Sequence, residues 1–297
     1  MWVILAFISA LLLGAYDILK KLSLRGNAVL PVLFLASFTG ALVFLPLIIL
    51  SHFYPEMAGN TFWYIPPADV RAHVFIFLKS CLVGASWILS YYAMKNLSIS
   101  IVSPVRATGP LWTLIGALLI FGERLGGMQW FGLILSVVFF WYFSFAARKE
   151  GLSFLRNRWM FCIYAGTLLS AMSGLYDKFL IREFGSLMVQ SWFSLYMIPV
   201  LFPFLVLHWY PKRKKEPFRW RPSIPLIGLC LVVADFLYFY ALSDPQALIS
   251  IVSAVRRSSA IVPFVVGVLF FREKCSSHKV IALLGMLLGI CLIVAGS

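Results

Sequence analysis

Two stretches decide how the chain is read: Ile99-Ser-Ile-Val-Ser-Pro-Val-Arg106 and Ile249-Ser-Ile-Val-Ser-Ala-Val-Arg256, identical but for Pro104 against Ala254. A short match gains weight when its surroundings recur in the same order, and here they do. Upstream, Leu13-Gly-Ala-Tyr-Asp17 returns as Ser173-Gly-Leu-Tyr-Asp177, and His52-Phe-Tyr-Pro55 returns as His208-Trp-Tyr-Pro211. Downstream, Phe121-Gly-Glu-Arg124 returns as Phe271-Arg-Glu-Lys274. The chain is a duplication.

Composition says what was duplicated. Of 297 residues, 62% are hydrophobic and 12% charged, against about 45–50% and about 25% in soluble domains. Apolar blocks of about 20 residues, enough to cross a ~30 Å hydrocarbon core, run from end to end. They predict ten spans: Trp2 to Lys20, Leu30 to Leu50, Val74 to Ala93, Leu97 to Phe121, Met128 to Ala147, then Trp159 to Phe179, Leu187 to Leu207, Ile224 to Leu242, Ala247 to Phe271 and Val280 to Ala295. The first block runs apolar from Met1-Trp2 to Lys20 and Lys21 without a basic leader, so it reads as a transmembrane helix rather than a secretory signal. Each copy then has an odd number of helices, and the second must enter the membrane upside down. The expected fold is an all-α integral membrane protein of ten transmembrane helices in two inverted five-helix repeats, residues 1–147 and 159–297, joined by a basic linker, 148–158. Many secondary transporters have this architecture, with the site near mid-membrane between the repeats.

The Gly14-x6-Lys21 pattern, the Pro104-Val-x4-Pro110 stretch, the Phe-Gly-Glu-Arg and Phe-Arg-Glu-Lys segments and the glycines of the last helix, Gly285 and Gly289, carry a family resemblance. The chain resembles the drug/metabolite transporter superfamily in its ten-helix form built from two EamA domains. The resemblance implies a transporter of amino acids, sugar phosphates, nucleotide sugars, choline-like cations or drugs, with both termini in the cytoplasm. Ile181 and Arg182 stand where the second copy's lysine would fall, so no role of Lys21 is carried over.

The net charge of +14 suits basic cytoplasmic loops rather than a nucleic-acid partner. Of the 25 Lys and Arg, seventeen (Lys20 and Lys279 among them) fall on the face where the first span ends, five (Lys79 among them) on the other, and Arg106, Arg256 and Arg257 inside spans. This bias puts both termini outside, opposite to the resemblance; the membrane expected is the plasma or inner membrane. The five cysteines read as core residues. The four histidines fall at span ends, with no spacing suited to a metal, and no cofactor motif or catalytic constellation is present.

A charge inside the bilayer costs several kcal/mol unless it is paired or hydrated, and so marks a candidate site. Depth along the helices, at about 1.5 Å per residue, pairs Asp17 with Arg106, Asp177 by symmetry with Arg256, and puts Asp235 level with Arg256 and Arg257. Three acids against three arginines are neutral overall, which suits a zwitterion; closed salt bridges that pin helices are the structural alternative. Pro110 lies four residues after Arg106 and Pro263 four after Ser259, each freeing a helical carbonyl near the same depth. Ser250 and Ser253, on roughly the face of Arg257, offer hydroxyls to a ligand or simply let helices pack. Tyr92 and Tyr240, with Trp87, Tyr91 and Tyr238, are candidate ligand walls.

The expected function is secondary-active transport, as an exporter, of a small polar metabolite by alternating access, an amino-acid-like zwitterion being favoured. A phosphorylated or anionic metabolite is the alternative, as is a non-transporting membrane subunit of a lipid- or polysaccharide-modifying system. The partners expected are the lipid bilayer, a small-molecule substrate and coupling protons, with Asp17 and Asp235 as proton-sensitive carboxylates. One chain is sufficient for such a site, and a dimer stays open.

Overall fold

The computed structural model describes residues 2–58, 61, 63–121, 126–149, 157–244, 247, 249, 252, 255–256, 259, 261–270 and 277–296. The first repeat consists of α1 (Trp2–Leu24), α2 (Val29–Phe53), a short α3 (Pro55–Ala58), α4 (Val70–Asn96), α5 (Ile99–Ala107), α6 (Gly109–Phe121) and α7 (Gly127–Lys149). The second consists of α8 (Arg158–Phe184), α9 (Ser186–Phe204, continued by a π turn over Leu205–Trp209), α10 (Ser223–Leu242), α11 (Ile261–Leu269) and α12 (Ser277–Ala295). Helices α2, α4, α8, α9 with its extension, and α10 are each long and apolar enough to cross a membrane alone.

Helix ends follow local chemistry. Asp69 caps α4 by accepting from the Ala72 N–H at 2.8 Å, and Asn157 caps α8 through the Trp159 N–H at 2.9 Å, each satisfying an otherwise orphaned donor. Gly185, at φ 81°, turns the chain directly from α8 into α9 in a backbone region open chiefly to glycine.

The span expected from Leu97 to Phe121 is not one helix. It breaks at Thr108 into α5 and α6, and the Thr108 N–H and hydroxyl both turn back to the Val105 carbonyl, at 3.2 and 2.7 Å. Pro110 has no N–H to offer the Arg106 carbonyl one turn earlier, which is why the ladder stops there. In the second repeat Pro263 is buried within α11.

The repeats interlock symmetrically. Helix α1 packs on α10 as α4 packs on α8, and α2 on α10 as α4 on α9; α2 meets α9, α5 meets α11, and α7 meets α12. This reciprocal exchange of partners is the pattern that inverted repeats produce. The α7–α12 pair is a close approach. A Cβ built on Gly289 would fall 2.1 Å from Ser136 Oγ and 2.6 Å from the Gly132 carbonyl oxygen, so small residues let the two backbones touch.

The outward faces are apolar, with Leu119 81%, Trp141 75% and Phe270 77% exposed, and Cys81 and Cys291 also face outward rather than into the core. Asp17, Lys20, Lys79, Asp177 and Asp235, within the helices, are buried instead, the distribution that lipid as solvent imposes.

Candidate functional site

One cavity of about 110 Å³ lies between the repeats. Two helical stripes, rich in polar residues, form part of its wall. On α4 they are Lys79, Val83, Ser86 and Ser90, and on α8 Gly166, Ser170, Ser173 and Asp177. Both sets have the spacing i, i+4, i+7, i+11 that keeps residues on one helical face. The stripes are in contact, because Ser86 Oγ donates to the Gly166 carbonyl at 2.7 Å. Helix α1 contributes Leu13, Tyr16 and Lys20, α10 contributes Asp235 and Tyr238, and the broken span contributes Arg106 and Thr113.

Charge in this cavity is arranged in two clusters. In the first, the Asp17 carboxylate takes Arg106 on one oxygen and Lys20, at 3.2 Å, on the other. The Lys20 ammonium lies over the rings of Tyr16 and Tyr91, at 4.5 and 4.6 Å, and those two hydroxyls meet at 3.4 Å. In the second cluster, Lys79 pairs with Asp177 at 2.8 Å and Arg256 pairs with Asp235. The Lys79 ammonium sits between Phe193 and Phe239, at 4.5 and 4.3 Å, and Arg256 lies over Tyr238 at 4.0 Å. Ring faces are negative, so each of these cations is held by π-electrons as well as by a carboxylate.

Arg106 is seven residues into α5, and Asp177 and Asp235 are seven before the ends of α8 and α10. Each is therefore roughly 10 Å from a helix end.

The two-repeat architecture that encloses this cavity is matched in known proteins. The EamA-like transporter family model matches residues 1–145 and again 157–295. The chain belongs to the EamA-like transporter family. A solved crystal structure of a protein superposes on this EamA-like transporter with a TM-score of 0.69, covering 98% of this chain and 97% of its own at 14% identity; at that identity the likeness is one of fold. A search of curated proteins gives no match.

Depth arithmetic placed Asp17 beside Arg106, and the two are in contact. The expected Asp177–Arg256 pair is replaced by Asp177–Lys79 and Arg256–Asp235. The reason lies in charges the two repeats do not share: α4 carries Lys79 and no acid, while α10 carries Asp235 and no Lys or Arg. Each of these captures the partner that symmetry alone would have assigned elsewhere.

Lys20, Lys79 and Lys279, counted among loop charges, are instead buried at 1–2% exposure. Removing them from the count leaves the bias between the two faces intact. Lys79 was legible, since it heads the serine stripe of α4, but a tally of charges by segment passes over faces.

Tyr92 and Tyr240 do not line the cavity. Tyr92 stacks on Trp159 at 6.3 Å, and Tyr240 on Phe236 at 6.2 Å. Successive residues on a helix point about 100° apart, so Tyr91 rather than Tyr92 faces α1, and Tyr238 rather than Tyr240 faces the cavity with Trp87. Arg257, Ser250, Ser253, Glu123 and Glu273 lie outside the described residues, as does the side chain of Pro110.

Proposed function

We propose that this EamA-like transporter is a secondary-active, alternating-access carrier of a small metabolite with net negative charge, a carboxylate or phosphate ester. The observation that carries the reading is the charge balance around the cavity: Lys20, Lys79, Arg106 and Arg256 against Asp17, Asp177 and Asp235. The balance expected from sequence was neutral, and the two buried lysines shift it to a surplus of one cation even before Arg257 is counted. Guanidinium groups suit bidentate capture of carboxylate or phosphate. The Arg106 and Arg256 side chains, each 18% exposed against 2% for Lys20 and Lys79, are the cations a ligand reaches.

A zwitterion is the second reading, favoured by the presence of both signs in one cavity. Its carboxylate would lie on Arg256 and its amine against Asp177 or Asp235.

Transport follows if substrate favours one facing state over the other, since only differential binding moves such an equilibrium. Rocking of one repeat against the other would open the cavity to each face in turn. Each repeat supplies half the site, so one chain suffices. The basic face is assigned to the cytoplasm of a plasma or inner membrane, with export as the direction.

The test is flux into liposomes that contain the purified chain, using labelled mono- and dicarboxylates, phosphate esters and neutral amino acids. Uptake of the anionic classes that is lost in Arg256→Gln supports the reading. Uptake of neutral amino acids alone would favour the zwitterion, and no flux from any class would favour the non-transporting membrane subunit.

A further inference from the structure

Beside the central cavity lies a smaller one of about 20 Å³, lined by α2, α9 and α10 with Trp87 of α4. A single water-sized guest needs about 10–15 Å³ measured this way, so the space suits one small occupant. Its polar wall is Ser37, Gln190, Ser194 and Asp235. Gln190 Nε2 spends one of its two N–H donors on the Val232 carbonyl at 2.9 Å, and Ser194 Oγ donates to the Gln190 carbonyl at 2.9 Å. Both keep an oxygen acceptor to offer. Ser37 is 7% exposed, and its buried hydroxyl oxygen has no hydrogen-bond partner, an arrangement that ordinarily costs about 1–3 kcal/mol and calls for an explanation. Asp235 lines both cavities and holds Arg256 on the central side.

A pocket of hard oxygen acceptors, one of them ionised, selects a cation. A single carboxylate suits a single positive charge. We propose that this pocket is a sodium-type monovalent cation site, and that its occupation competes with Arg256 for the Asp235 carboxylate. The guanidinium is thereby released towards the substrate. This coupling rests on the reading of the central cavity as an anion site. Reciprocity then requires cation and anion to strengthen each other's binding by the same factor, which makes the pocket the coupling site of the transport cycle.

The pocket is tested by thermal melting of the purified full chain in detergent, without substrate, in sodium, potassium and choline chloride at equal ionic strength. Sodium at about ten times its dissociation constant should raise the midpoint over choline by about 2–5 °C, and potassium should raise it less. Ser37→Ala removes an acceptor without stranding a neighbour, so it should keep the choline midpoint and lose the sodium shift. Gln190→Met gives a second removal of an acceptor. Equal midpoints in sodium and choline overturn the proposal, as does a shift equally large in potassium or one that survives in both variants. The melt is read without substrate, so a failure of anion flux would leave a positive result standing, and flux without any sodium shift would refute the pocket alone.

Discussion

The exchange of partners between the repeats can be tested through Lys79 and Asp177, whose side chains are 2% and 9% exposed and 2.8 Å apart. At an effective dielectric of about 20, that separation gives an attraction of about 6 kcal/mol, which desolvation of several kcal/mol per ion offsets in large part. The net worth of the pair is therefore small, but removing one partner strands the other. Lys79→Met or Asp177→Asn alone should each destabilise by about 3–5 kcal/mol, and Lys79→Met with Asp177→Asn should come much closer to the wild type than the sum of the two losses. The coupling energy expected is about 3 kcal/mol or more. Denaturant unfolding of the four proteins in detergent, followed by tryptophan fluorescence, completes the cycle. A parallel cycle of Asp177→Asn with Arg256→Met should give a smaller coupling. Additive losses for Lys79 and Asp177, or a larger coupling of Asp177 with Arg256, would refute the assignment and restore the symmetric pairing.

Exchanging the charges of Asp17 and Arg106 should recover only part of the stability lost in either single reversal, because Lys20, 3.2 Å from the Asp17 carboxylate, would then face an arginine; full recovery in unfolding experiments would place Lys20 outside the cluster. Gly289→Ala puts a methyl against backbone at Gly132 and against Ser136 and should cost about 1–3 kcal/mol. Gly127→Ala, with nothing within 4 Å, is the neutral control in the same melting assay. Lys21→Met deletes hydrogen bonds to the Met94 and Leu97 carbonyls at 3.0 and 2.6 Å and should lower stability by about 2–3 kcal/mol; an unchanged midpoint would make the contact incidental. Tyr92→Ala and Tyr240→Ala should leave liposome flux unchanged and Tyr238→Ala should reduce it, and a loss in either of the first two would move the ligand off the cavity described.

Much of the fold was legible because its determinants are one-dimensional. The number of apolar blocks, the order of the repeated motifs and the odd number of helices per copy need no knowledge of which face of a helix points where. The Asp17–Arg106 contact was legible for the same reason, since depth in a membrane is read by counting residues along a helix. The break at Thr108 was foreshadowed by Pro110, although one continuous span was expected.

Other features depended on rotation about each helix axis, which counting does not provide. Tyr91 and Tyr92 have the same depth and nearly the same chemistry, yet one meets Tyr16 and the other Trp159. Lys79 looked like a loop charge until the face it shares with Val83, Ser86 and Ser90 was seen to form the cavity wall.

The sequence by itself determined a duplicated ten-helix membrane protein with charges at mid-depth, because lipid dictates apolar length and makes every buried charge conspicuous. Beyond the Asp17–Arg106 contact, only the tertiary structure decided which charge meets which. Ion pairing depends on angstrom separations set by the packing of one repeat against the other, and there the unshared Lys79 and Asp235 break the symmetry that the sequence displays.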